Sequence, residues 1–175
     1  ERLTGAVKQV SVKAEPKVKV TIPVDPSGDG GLMDIVLSPT YGQDRLMYAY
    51  VSTPTDNRVI RIADGDVPKP ILTGIPKGAT GNMGAMYFRS PTELVVATGN
   101  AGNPAAADDP SSLAGKVLLV TSFTSGDGPR PAILASGFGS SVALCPNAST
   151  GTVYVADQTA TEDRVQVLEE GGPKV

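Results

Sequence analysis

The chain has 175 residues, 40% of them apolar and 19% charged, with a net charge of −3. That is enough apolar material for one domain with a sizeable core, and it excludes a disordered chain. The acidic balance lacks the basic footprint that binding to a phosphate backbone requires, which excludes nucleic acid as a partner, and no apolar run reaches the length of a membrane span.

Gly and Pro together supply 35 residues, and Val is common while long Ala/Leu/Glu/Lys runs are absent. Dense punctuation of that kind predicts many short strands joined by tight turns. The first strand is predicted at 5–12 and a second at 17–22, where Lys17 and Lys19 alternate with Val18 and Val20 as on a solvated face. Together they read as the outer half of an incomplete four-stranded unit. The chain opens mid-pattern at Glu1 with no leader in view, which predicts a mature or trimmed segment.

Three longer units follow one plan: an apolar strand, a proline turn, a second apolar strand, a variable loop and a third strand with Arg or Lys near its start. The first unit runs Leu32–Pro39, Arg45–Val51 and Asn57–Ile62; the second Gly84–Pro91, Glu93–Thr98 and Gly115–Val120; the third Ser141–Pro146, Gly151–Ala156 and Asp163–Leu168. Short fourth strands are predicted at Pro70–Thr73 and Pro131–Leu134. The turn prolines Pro39, Pro91 and Pro146 lie 52 and 55 residues apart. Four strands per repeat of about fifty residues is the signature of a β-propeller blade. The expected fold is therefore all-β, a propeller of four-stranded antiparallel blades in one domain, with units at about 1–24, 25–77, 78–135 and 136–175. The first strand-turn-strand of each unit, nearly all apolar, should pack on both faces between blades, and the third strands should keep one wet face. The closing run Gly171–Val175 reads as the approach to another strand.

Several constellations invite chemistry. Asp108-Asp109-Pro110-Ser111-Ser112 offers hard oxygen ligands for calcium, but a polar turn in which Asp109 or Ser111 bonds nearby N–H groups explains it more simply. The loop Asp25–Gly31 lacks the bidentate Glu that an EF-hand loop carries, so a tight turn is expected. Gly99-Asn100-Ala101-Gly102-Asn103 follows a strand like a nucleotide loop, yet Pro104 and the Ala-rich run after it predict no helix and no Walker lysine follows. The five tyrosines, Tyr41, Tyr48, Tyr50, Tyr87 and Tyr154, are expected in the inter-blade core, and the absence of Trp argues against a sugar-stacking platform. The lone Cys145, within Val142-Ala143-Leu144-Cys145, is either a small buried hydrophobe or one half of a disulfide to a cysteine outside the segment. A catalytic thiol or Ser-His-Asp triad is excluded by the absence of histidine.

Gly30-Gly31-Leu32-Met33-Asp34-Ile35-Val36-Leu37-Ser38-Pro39 resembles a segment of the glucose/sorbosone dehydrogenase family that reads G-G-L-L-G-I-A-L-H-P. The likeness continues at Asn57–Arg61, Ile71–Pro76, Thr98–Pro104, Asp109–Val117 and Val153–Asp157, in order and over most of residues 28–170. The resemblance implies a six-bladed propeller, of which about two blades fall outside the chain. It implies a site at the mouth of the central channel, where enzymatic members hold pyrroloquinoline quinone, in some members with calcium, and use a histidine base with an arginine and an asparagine from G-L-R-N-P. Carried over by spacing, the histidine falls at Gly81 and the arginine and asparagine at Gly139 and Ser140. Glycine neither accepts a proton nor pairs with a carboxylate. The expectation is a non-catalytic relative with no cofactor, acting as a binding or scaffold module for a small ligand or an envelope protein. Its site is expected around Asp29, Asn82, Asn100, Asn103, Ser140 and Asp157, and no metal site is expected. The alternative is a quinone-dependent sugar or aldose oxidoreductase whose catalytic groups come from a C-terminal continuation. The segments Glu1–Gly5, Ala14–Lys19 and Val24–Asp34 resemble, within this group, envelope lipoproteins of mycobacteria. That closer likeness implies export, a lipid anchor on a cysteine upstream of Glu1, and a continuation able to supply a partner for Cys145.

Overall fold

The computed structural model describes residues 1–121, 123 and 130–169 of the chain; the run expected to lead into a further strand, Gly171–Val175, lies outside the described residues. The strands are β1 (Ala6–Ser11), β2 (Ala14–Thr21), β3 (Leu32–Leu37), β4 (Met47–Ser52), β5 (Asn57–Ile62), β6 (Lys69–Ile75), β7 (Gly84–Ser90), β8 (Glu93–Thr98), β9 (Lys116–Val120), β10 (Ala132–Ser136), β11 (Ser141–Pro146), β12 (Val153–Gln158) and β13 (Asp163–Val167). Two short helices, α1 (Tyr41–Asp44) and α2 (Pro104–Asp108), interrupt loops. The α2 turn corrects the expectation of no helix after Gly99–Asn103: Asn103 caps it by accepting from the Ala105 N–H, and Pro104 stands in the first turn, where its missing N–H costs nothing.

The strands form four sheets of consecutive neighbours: β1-β2, β3-β4-β5-β6, β7-β8-β9-β10 and β11-β12-β13. Every described pairing is antiparallel, as hairpin connections dictate. The leading strands β3, β7 and β11 approach one another from sheet to sheet, so the sheets follow as blades around a common inner side.

The second strand of each four-stranded sheet carries the packing. All six residues of β4 are buried, and five of six in β8, because both faces of these strands press on apolar neighbours. Tyr48, Tyr50, Val59, Ile75, Met86, Leu94, Val96 and Leu118 make one core layer between the two four-stranded sheets. Val95, Ala97, Val117, Phe138, Val142 and Val155 make the next, between the second of these and β11–β13. Each fully buried aliphatic side chain in such a layer contributes roughly 1.5–3 kcal/mol. Tyr48, Phe88 and Phe123 meet edge to face with centroids 5.0–5.8 Å apart, the arrangement ring quadrupoles favour.

Two expectations are corrected. The third strands were expected to keep a wet face; β13 does, but in β9 four of five residues are buried, Lys116 completely. Its ammonium donates to the carbonyls of Ala106 (2.9 Å), Ala107 (2.7 Å) and Ala114 (2.9 Å), so the charge is solvated by backbone oxygens near the end of α2. Cys145 is exposed rather than a buried hydrophobe, because the alternation along β11 turns Val142 and Leu144 inward and Ala143 and Cys145 outward. The tyrosines divide as well: Tyr48 and Tyr50 are core, Tyr41 and Tyr87 half-buried, and Tyr154 is exposed.

One close approach sets the spacing between the two four-stranded sheets. A Cβ at Gly84, the first residue of β7, would lie 2.6 Å from ring atoms of Tyr50. Gly84→Ala is therefore expected to destabilise the fold by about 1–3 kcal/mol through overpacking. Urea denaturation should show a lowered midpoint with an unchanged slope.

Candidate functional site

Of the residues expected at the channel mouth, Asp29, Asn82 and Ser140 lie on the loops before β3, β7 and β11, Asn100 and Asn103 lie on the loop after β8, and Asp157 lies in β12. They form a connected row across the sheets. Asp29, on the loop before β3, accepts hydrogen bonds from the Gly81 N–H (2.6 Å), the Asn82 N–H (3.2 Å) and the Asn82 side-chain amide (2.5 Å). Asn82 is fully buried, and its amide also donates to the Gly78 carbonyl (2.8 Å). Its Oδ1 accepts from the Gly78 N–H (2.9 Å) and from Asn57 Nδ2 (3.1 Å), while Asn57 Oδ1 accepts from the Ser52 hydroxyl (2.6 Å). A polar chain thus runs from the first four-stranded sheet into the loop that opens the second. Buried amides demand such complete pairing.

The row continues through Asn100. Its Oδ1 accepts from the Gly102 N–H (3.0 Å), and its own N–H donates to the Gly139 carbonyl (2.9 Å). Asn103 is exposed and serves α2 as its cap, so it stands at the edge of the row rather than in it. Gly139 then donates its N–H to Asp157 Oδ1 (2.7 Å), and Arg164 donates to the other oxygen of this buried carboxylate. The Ser140 N–H donates to the Gln158 carbonyl (2.9 Å), and its hydroxyl faces the same oxygen at 3.4 Å. The structure therefore brings Asp29, Asn82, Asn100, Ser140 and Asp157 into one neighbourhood. It also engages their polar atoms with the backbone of adjoining loops. A hollow of about 240 Å³ opens beside them, lined among others by Asn100, Asp108, Phe138, Gly139, Thr159 and Thr161.

The two glycines are crowded. Gly81 has φ +75°, and a Cβ there would lie 2.6 Å from the Gly102 nitrogen and 2.8 Å from Asn100 Oδ1. A Cβ at Gly139 would lie 1.9 Å from the Gln158 carbonyl oxygen. Neither position admits a side chain while the neighbouring backbone stays where it is.

Asp109 behaves as the polar-turn reading expects, accepting from the Ser111 hydroxyl and N–H, both at 2.7 Å. Those two bonds, the hydroxyl first, hold its carboxyl below the usual range. Among the described residues no group of three or more His, Cys, Asp or Glu side chains converges as a metal site would need, Asp108 and Asp109 included.

Sequence reasoning missed the ion pairs that brace the mouth, because each joins residues far apart in the chain or hidden in a strand. Lys77 donates to Asp25 Oδ2 (2.5 Å) across 52 residues, and Arg164 reaches Asp157 from β13. The second had a visible signal, the repeated Arg near the start of third strands, but nothing in the sequence named its partner. Asp34 was also missed. It accepts from the Met86 N–H of the next sheet (2.6 Å), and burial pushes its carboxyl up although that N–H draws it back.

Asp25 supplies a pH prediction. The Lys77 ammonium, then the Ser27 N–H and hydroxyl, hold its carboxyl down from 3.8 to about 2. A carboxyl depressed in the folded state stabilises above its ordinary value and loses that contribution as pH falls toward the folded value. The stability contributed by this carboxylate is thus expected to fade between pH 3.8 and about 2. Urea denaturation of wild type and Asp25→Asn across that range should show the gap between them closing as the solution is acidified.

Comparison with known proteins agrees with the architecture. Residues 1–172 match the Glucose / Sorbosone dehydrogenase family. The structure of a PQQ-bound aldose sugar dehydrogenase from Streptomyces coelicolor superposes with a TM-score of 0.85 at 27% identity, covering 99% of this chain and 56% of that one. The apo form of a soluble aldose sugar dehydrogenase from Escherichia coli gives 0.82 at 18% identity, covering 96% and 56%, a likeness of fold alone. The chain thus spans a little over half the length of these structures. No curated protein sequence shows significant similarity to it.

Proposed function

The chain belongs to the glucose/sorbosone dehydrogenase family, and we propose that within it this chain is a non-catalytic propeller module that binds a small ligand or a protein at the channel mouth. The observation that carries the reading is the crowding at Gly81 and Gly139. These are the positions that spacing assigns to the family's histidine base and arginine, and each has a neighbouring backbone atom where the Cβ would stand. With Ser140 beside them, the three positions hold no imidazole to take a hydroxyl proton and no guanidinium to pair with a carboxylate. The residues present therefore do not fit pyrroloquinoline quinone in the family's manner.

What the mouth does offer is a rigid polar rim. The side chains of Asp29, Asn82, Asn100 and Asp157 are spent on holding loops in place, which suits a binding surface of fixed shape. The likeness of the opening segments to mycobacterial envelope lipoproteins supports placing the module outside the cytoplasm, tethered by a lipid, with an envelope protein or small ligand as partner. Exposed Cys145 is compatible with a disulfide to a cysteine elsewhere in a longer protein.

Titration with pyrroloquinoline quinone, with and without calcium, followed by absorbance and calorimetry, is expected to show no saturable binding, and aldose sugars are expected to drive no reduction of an acceptor dye. Tight quinone binding with sugar-dependent dye reduction would instead establish the second reading, an oxidoreductase. An intact mass of the native protein, read for a diacylglyceryl group, tests the tether.

A further inference from the structure

Three N–H donors converge on Asp29. Two belong to successive peptide units, Gly81 at 2.6 Å and Asn82 at 3.2 Å, and the third is the Asn82 side-chain amide at 2.5 Å. Successive backbone N–H groups aimed at one point, with one residue of the turn at positive φ, form an anion-binding concavity of the kind that receives phosphates and carboxylates. Here Gly81 supplies the positive φ, +75°. The donors are preorganised independently of the acid. Asn82 is fully buried and held by Gly78 and Asn57, and the Ala101 N–H donates to the Gly81 carbonyl (2.9 Å).

The turn before β11 offers a single such donor, because the Ser140 N–H goes to the Gln158 carbonyl instead. There the Gly139 N–H donates to the buried carboxylate of Asp157 at 2.7 Å, and Arg164 neutralises the acid. Asp29 differs in reaching its donors across 52 residues, from another sheet.

We infer that the Gly81–Asn82 turn is a built carboxylate-binding nest whose resident occupant is the tethered side chain of Asp29. The native mouth is therefore self-occupied at this point and refuses a free carboxylate there. Asp29 is a positioning residue: it locks the loop before β3 to the loop before β7 and fixes the shape of the rim. The inference stands whether the mouth receives a small molecule or a protein, because it concerns the nest and not the partner. It also narrows the ligand class, since a group contacting this part of the rim meets a surface whose anion requirement is already met.

The test is chemical rescue in the full chain. Asp29→Ala removes the tethered carboxylate and leaves the donors. It is expected to lower the thermal midpoint by on the order of 5 °C, as the loss of charge-assisted hydrogen bonds at a partly buried site does. Sodium acetate at 100-fold its apparent Kd should restore most of the loss, while sodium chloride at equal ionic strength should not. Wild type should show no acetate-specific shift. In nitrogen–proton spectra the Gly81 amide proton should move upfield in the variant and return downfield on adding acetate, a response that a merely loosened loop would not give. Equal effects of acetate and chloride on the variant, or an acetate-specific shift in wild type as large as that in the variant, would overturn the inference. If the variant does not fold, amide exchange in the wild type decides: protected Gly81 and Asn82 N–H groups uphold the nest, and exchange at the rate of exposed loop amides refutes it.

Discussion

Everything in this molecule depends on sheets pressing face to face at a distance that leaves no room for water. The second strands β4 and β8 are buried on both sides, so each is a wall between two packed layers. A strand in that position must be apolar throughout, and it cannot slip in register without pushing side chains into the wrong layer. From this follows the placing of the inner strands, and from their ends follows the placing of the loops that make the mouth. The polar chemistry at the mouth is therefore a consequence of apolar packing some residues away, transmitted through strands too stiff to let the loops drift.

Much of this was legible in the chain. The three repeated units could be read because buried strands leave contiguous apolar runs, and because proline turns end them at nearly constant spacing. The gathering of Asp29, Asn82, Asn100, Ser140 and Asp157 could be anticipated from a family motif and the blade plan together. What could not be read were interactions whose partner is backbone. Lys116 looked like a charged residue on a wet strand, and nothing in the sequence shows that three carbonyls wait for it. Asn82 looked like a ligand-facing amide, but its bonds go to Gly78, Asn57 and Asp29. The buried alternative for Cys145 failed for another reason: in an apolar run, composition does not say which parity faces inward.

Hydrogen bonds that fix the loops come from side chains different from those that the enzymatic pattern reserves for chemistry. Asp29 and Asp157 hold turns whose central residues are glycine, and such turns need no side chain of their own to keep their shape. The residues that position the loops are distinct from the three positions that spacing assigns to the family's chemistry.

Gly139 also limits how the chain can vary. With the Gln158 oxygen 1.9 Å from where a Cβ would stand, a side chain there requires the neighbouring backbone to move. The end of β12 would have to retreat first, so residue 139 cannot be varied independently of the strand beside it. Variation at this rim is coupled: two segments distant in the chain must change together, where on an open surface one residue suffices.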